Sequence, residues 1–172
     1  MNTPIRVLVL ALAVAGLGAC AKKTVKPEET TPPPTSTQTE TAVTQEESWT
    51  NPAILDSKPC LVSRVAYFDF DQTTIKSEAM EMLQCHGKWL AANPGARISL
   101  EGHADERGTR EYNLGLGERR GNAVRDMLLA SGGRSEQVAT VSYGEERPIC
   151  TDSDESCWSK NRRGEIVYTA KQ

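Results

Sequence analysis

Apolar and polar positions fall into successive regimes along the chain: a continuous apolar run near the start, a long polar stretch with no apolar rhythm, and from about residue 53 an alternation of short and helical periods. The last regime predicts the folded part. "RVAYFDF", Arg64 to Phe70, is rich in aromatic and β-branched residues and sets Val65 and Tyr67 two positions apart, which predicts a strand. "SEAMEMLQCHGKWLAAN" then places Ala79, Met82, Leu83 and Leu90 on one helical face. It predicts a helix from Ser77 to Asn93, with Ser77 as N-cap and Pro94-Gly95 as the stop. "ARISLEG", Ala96 to Gly102, reads as a second strand with Ile98 and Leu100 on one side. A second helix from Leu114 to Ser131 carries Leu116, Ala123, Val124, Met127 and Leu128 at three- and four-residue steps, and Gly132 and Gly133 end it. "VATVSYG" (Val138 to Gly144) and "GEIVYTA" (Gly164 to Ala170) add two strands. The resulting βαβαββ-like order predicts an α/β (α+β) fold, a four-stranded mixed sheet with helices packed on one face. Gly115, Gly117 and Gly121 interrupt the second helix at about 1 kcal/mol each relative to Ala, so close approach of that helix to the sheet is expected.

The earlier regimes describe delivery. "MNTPIRVLVLALAVAGLGA" joins Arg6 to an apolar run from Val7 to Leu17 that is too short to span a bilayer, followed by small residues: residues 1–19 read as a secretory signal peptide. Its end, "LGAC", resembles a bacterial lipobox, which implies acylation of Cys20 and anchorage in a lipid bilayer. Ala rather than Asp at residue 21 points by analogy to the outer membrane, facing the periplasm. Residues 20–52 are dominated by Thr, Pro, Glu and Gln and lack the apolar surface to offset ordering entropy, so they read as a disordered tether. At ~3.3 Å per residue its contour reaches roughly 100 Å. Residues 53–172 remain as one domain of ordinary size.

The formal charge of −3 gives no bulk attraction for nucleic acid. Beyond Cys20 an exported chain holds Cys60, Cys85, Cys150 and Cys157, which suggests two disulfides with three pairings open. A loop-closing Cys150–Cys157 bridge is the simplest choice, and Cys60–Cys85 then follows by exclusion. Neither spacing is C-x-x-C, which argues against zinc.

The densest chemistry lies in "GHADERGTREYNLGLGERRGNAV", Gly102 to Val124, which closely resembles the signature of the OmpA-like peptidoglycan-binding domain. With "VSYGEERP" (Val141 to Pro148) and "NRR" (Asn161 to Arg163), the set resembles the peptidoglycan-associated lipoproteins of that family, over roughly Val65 to Tyr168. The resemblance implies noncovalent binding of the peptidoglycan stem peptide through the end of meso-diaminopimelate, which carries an ammonium and a carboxylate on one carbon. Asp105 falls on the family's acceptor and Arg120 on its planar donor. Phe70 and Asp71 fall on the loop after the first strand; Tyr112 and Asn113 frame the second helix, Asn113 also standing where an N-cap would. Of Arg162 and Arg163, one is expected to line the pocket. Gly117 and Gly121 depart from the Ser and Ala common in the family. The resemblance further implies work with the Tol system, TolB in particular. The alternative is an OmpA-like structural lipoprotein acting outside that system, chiefly through protein partners.

Other chemistry is thinly supported. His103, Asp105 and Glu106, with His86, offer acid–base groups, but "HADE" on a polar loop is a weak motif and no G-x-S-x-G accompanies it. No enzyme, metal or cofactor is expected, and His103 is expected to pin its loop by hydrogen bonds. A purely structural domain would instead close Asp105 and Arg120 into an internal salt bridge that no ligand enters. The Cys150–Cys157 bridge, which spans the self-repelling acidic loop "TDSDES", is expected to shape the pocket rim through Arg162.

Overall fold

In the computed structural model, residues 49–171 are described. The signal segment 1–19, Cys20 and the tether through residue 48 lie outside the described residues. Helix α1 (Pro59–Val62) leads into strand β1 (Val65–Tyr67), then helix α2 (Ser77–Ala92), β2 (Arg97–His103), helix α3 (Arg110–Ala130), β3 (Val138–Gly144), a short helix α4 (Glu155–Asn161) and β4 (Arg163–Ala170). Spatially the strands run β1-β4-β2-β3. β2 and β3 are parallel, while β4 runs antiparallel to both β1 and β2. The last strand in sequence therefore lies between the first two. Because β1, β2 and β3 share a direction, right-handed crossovers place α2 and α3 on the same face of the sheet.

That face carries the core. Ile98 and Leu100 on β2 and Ile166 on β4, with Leu100 registered opposite Ile166, meet Leu83, Trp89 and Leu90 of α2 and Val124 and Leu128 of α3, all buried. Trp89 meets the Tyr168 ring edge-on, with centroids 5.1 Å apart. His86, which is wholly buried, lies 2.8 Å from the Ser63 carbonyl through Nε2 and 2.7 Å from the Tyr168 hydroxyl through Nδ1. A carbonyl only accepts, so Nε2 carries the hydrogen and Nδ1 accepts from the tyrosine. His86 is thus a core residue, remote from any acid–base chemistry.

The expected close packing of α3 holds at two of its three glycines. A Cβ on Gly102 of β2 would fall 1.8 Å from the Gly117 carbonyl oxygen, and one on Gly121 would fall 2.6 Å from the Thr140 methyl. Backbone packs on backbone here. At Gly115 a Cβ would meet only the Arg119 guanidinium, at 3.3 Å. Both disulfides form as read from the spacing: Cys60–Cys85 ties α1 to α2, and Cys150–Cys157 closes the loop that enters α4.

Several boundaries differ from the sequence reading. Ser77 is the first residue of α2 and not its cap; Lys76 stands at the cap with no side-chain bond. α3 begins four residues before the expected Leu114, because Thr109 caps it by accepting from the Tyr112 N–H at 3.2 Å. Its first turn is polar, so the apolar stripe misses it. Asn113 is consequently inside the helix and not at its N-cap. β1 stops at Tyr67, short of the expected Phe70, and the chain then turns through Asp71, whose φ is 55°. Ordered structure also starts ahead of Ala53: Trp49 packs against the core and its carbonyl accepts from Asn93 Nδ2 at 2.7 Å.

Candidate ligand-binding cleft

Parallel β1 and β2 end on the same side of the sheet, so the loops that follow them meet there, which is where ligands gather in open α/β sheets. Together with the first turns of α3 they enclose a cleft of about 210 Å³ lined by Phe70, Asp71, Asp105, Arg107, Tyr112 and Arg120. The rim is aromatic: Phe70 is 54% exposed and Tyr112 46%. The Tyr112 hydroxyl donates to Asp71, which fixes the far wall.

At the floor, Asp105 is only 3% exposed. Its Oδ1 accepts from the Arg107 backbone N–H and Nε, both at 3.1 Å, and its Oδ2 accepts from Arg107 Nη2 at 2.6 Å and Arg162 Nη1 at 3.3 Å. Burial raises the carboxyl pKa, but the bonds from Arg107 and Arg162 outweigh it and hold the group below its ordinary 3.8. Asp105 is an anion at neutral pH. Asn113 ties the loop down through the two hydrogens of Nδ2, which donate to the Glu145 carboxylate and, shared between them, to the carbonyls of Asp105 (3.1 Å) and Arg107 (3.3 Å). Gly108, at φ 117°, makes the turn between them.

Arg120 reaches the same cleft from α3 and is wholly buried. Its guanidinium donates to three backbone carbonyls: Gln72 at 3.0 Å, His103 at 2.8 Å and Asp69 at 3.1 Å. A guanidinium has five N–H groups, so one on each terminal nitrogen remains beyond those bonds. Burial draws its pKa down to about 10, so it stays cationic at neutral pH. Asp105 and Arg120 share the cleft without bonding to each other, so the internal salt bridge expected of a purely structural domain does not form.

The paired arginines near the C-terminus separate. Neither lines the cleft, contrary to the expectation that one would. Arg162 reaches the floor carboxylate, donating to Asp105 and, at 3.0 Å, to Phe68 O. Arg163, named with it as a binding residue, does not: it opens β4, pairs with Glu165 at 3.3 Å and donates to Arg147 O at 3.3 Å. Strand alternation sends consecutive side chains to opposite sides. Sequence reasoning missed Arg107, whose guanidinium is sandwiched by the rings of Phe70 (4.0 Å) and Trp158 (4.1 Å). An arginine two residues past a loop aspartate was the available signal, since Asx turns bring such neighbours back on the carboxylate.

His103 also corrects an expectation. Neither ring nitrogen has a hydrogen-bond partner, so it does not pin its loop that way; the buried ring lies 5.5 Å from that of Tyr143. Burial, then the charges of Arg163 and Arg147, push its pKa down to about 4, and burial does the same to His86. Both are neutral in the fold, and the chain has no other histidine. With folded values below the unfolded 6.5, their contribution is complete above pH 6.5 and is lost as pH falls toward 4. We expect the thermal midpoint to fall through that window, with His103→Phe flattening part of the decline in a melt series against pH.

With this geometry in place, comparison with known proteins decides the family. Residues 67–162 match the OmpA family, more than half of the chain. The chain belongs to the OmpA family. Among its relatives, the peptidoglycan-associated lipoprotein of Pseudomonas putida is 53% identical over 100 residues, 58% of this chain and 60% of that protein. That of Agrobacterium fabrum is 50% identical over 101 residues, 59% of this chain and 57% of that protein. The matched stretch therefore spans less than two thirds of either. The crystal structure of the peptidoglycan-associated lipoprotein from Burkholderia pseudomallei aligns with a TM-score of 0.66 at 39% identity, covering 69% of this chain and all of that one. All of that crystallised chain is thus accounted for by 69% of this one.

Proposed function

We propose that this chain is a noncovalent peptidoglycan-binding lipoprotein that links the outer membrane to the cell wall. The observation that carries the reading is the cleft floor: a buried carboxylate, Asp105, sits in a rim of exposed aromatic side chains with Arg120 opposite. One acceptor and one planar donor in a small cleft suit the ammonium and carboxylate on the terminal carbon of meso-diaminopimelate. Arg107 already occupies Asp105, and its side chain is 30% exposed where that of Arg162 is 6%. The ligand ammonium displaces or joins Arg107 and not Arg162.

The reading is one of binding without reaction. His103, the one histidine near the cleft, has its ring against Tyr143 and does not line the cleft. Acylated Cys20 supplies the anchor and the polar segment after it the reach. Among the described residues no helix is long and apolar enough to cross a membrane. TolB, as a partner that competes for the cleft rim, belongs to the same proposal.

Residues 49–172 mixed with sacculi test it. Pelleting with sacculi whose stem peptides carry meso-diaminopimelate, but not with sacculi carrying lysine in its place, is the expected result. Lysine keeps the ammonium and lacks the carboxylate, so equal pelleting with both would refute the two-point clasp, and no pelleting with either would refute wall binding.

A further inference from the structure

The Cys150–Cys157 bridge lies outside the cleft, yet both cations on Asp105 lean on the segment it closes. Glu155, the first residue of α4, accepts from Arg162 and stands 3.8 Å from Arg107 Nη2. Trp158 supplies one of the two rings that sandwich Arg107. Its Nε1 donates to Glu106 Oε1 at 3.1 Å, and Ser153 Oγ, inside the bridged loop, donates to the same oxygen at 2.7 Å. The loop is thereby stitched to the residue that follows Asp105. Asn161 fastens the other end: Oδ1 accepts from the N–H groups of Ile149 (2.9 Å) and Cys150 (3.3 Å), and Nδ2 donates to Cys150 O at 2.7 Å.

α4 has seven residues, too few to hold a helix in water unaided. Its place is set by what grips it, and the one covalent grip is buried Cys157. We propose that the Cys150–Cys157 bridge is a positioning element for the cleft: it holds α4 so that Trp158 and Glu155 aim Arg107 and Arg162 at Asp105, and opening it weakens ligand capture. The inference rests on the clasp reading above. Opening by a dithiol reductant moves two electrons and two protons to the bridge; the S–S bond breaks, two thiols form and the reductant closes into its own disulfide. Affinity falls because Arg107, freed from the Trp158 face, must be ordered again when ligand binds.

Calorimetry with a meso-diaminopimelate stem tripeptide tests this on residues 49–172, alongside a ¹³C titration of the Asp105 carboxyl. C150S/C157S and Trp158→Ala are expected to weaken binding by about tenfold, the scale of a desolvated cation–π contact, whereas Trp158→Phe, which keeps a ring over Arg107, stays within about threefold of wild type. C60S/C85S, whose bridge joins α1 to α2 away from the cleft, should lower stability and leave affinity unchanged. In C150S/C157S the Asp105 midpoint should also rise. Wild-type affinity together with an unmoved Asp105 midpoint would overturn the proposal. If C150S/C157S does not fold by circular dichroism, the contrast between Trp158→Ala and Trp158→Phe decides. Should wild type fail to bind the tripeptide, the clasp reading falls, and the Asp105 midpoint alone judges the positioning role: a rise supports it and identity with wild type removes it.

Discussion

Replacing Arg120 by Ala is expected to lower the melting temperature by roughly 10–20 °C, a larger effect than any other single substitution around the cleft. The guanidinium is wholly buried and ties α3 to two other segments, donating to the carbonyls of Asp69 and Gln72 in the loop after β1 and of His103 at the end of β2. The buried His103 carbonyl loses this donor at a cost of about 1–3 kcal/mol, the part-buried Gln72 and Asp69 carbonyls cost less because Asp69 O keeps the Gln72 N–H, and the truncation also empties the space over the Phe68 ring, 5.2 Å away. The sum is about 4 kcal/mol or more. Lys has no fork to reach three acceptors, so Arg120→Lys should recover less than half of the loss. A melt of Arg120→Ala within a few degrees of wild type would show that those carbonyls find other donors. The consequence for binding work is direct: loss of affinity in Arg120→Ala measures the cleft only after its stability is known.

The second large effect belongs to Asp105. Asp105→Asn is expected to cost at least about a hundredfold in affinity for the diaminopimelate stem peptide, in the range found when one partner of a desolvated charge pair is removed. The amide keeps an oxygen for the Arg107 N–H but loses the charge that faces the ligand ammonium. Asp105→Ala should show the same loss of affinity with a stability penalty of about 3 kcal/mol, because Arg107 and nearly buried Arg162 then lose their shared carboxylate. Calorimetry paired with thermal melts separates the two terms. Near-wild-type affinity of the Asn variant would move the ammonium site away from Asp105, with Asp71 on the opposite wall the next residue to examine.

These effects mark how far the sequence alone could be read. Strands with Ile98 and Leu100 on one face, and a helix with Val124 and Leu128 on its stripe, were legible because burial imposes a period that does not depend on distant partners. α4 was not legible, since a seven-residue helix whose buried residues are Cys157 and Asn161 shows no period at all. The first turn of α3 was signalled by Thr109 and not by any apolar position. In the cleft, residue types were recoverable and their employment was not. Arg120 and Arg107 look alike in sequence, but the carbonyls that occupy Arg120 come from as far as 51 positions away, and only the fold brings them together. For Arg162 and Arg163, alternation says that adjacent side chains diverge and is silent on which of them meets Asp105.

The place of β4 has a temporal consequence. Arg163–Ala170 follows the other three strands in chain order, yet it lies between β1 and β2 and supplies the pairing that joins them. Until those residues leave the ribosome, β1 has no neighbour in the sheet, and the carbonyl of Arg162, which accepts from the Phe68 N–H, does not exist. The nascent chain therefore cannot complete its sheet before β4 has emerged, and the high sequence separation of the β1–β4 contacts slows closure afterwards. A sheet whose central seam is written after both of its flanks keeps its core open for most of its own synthesis.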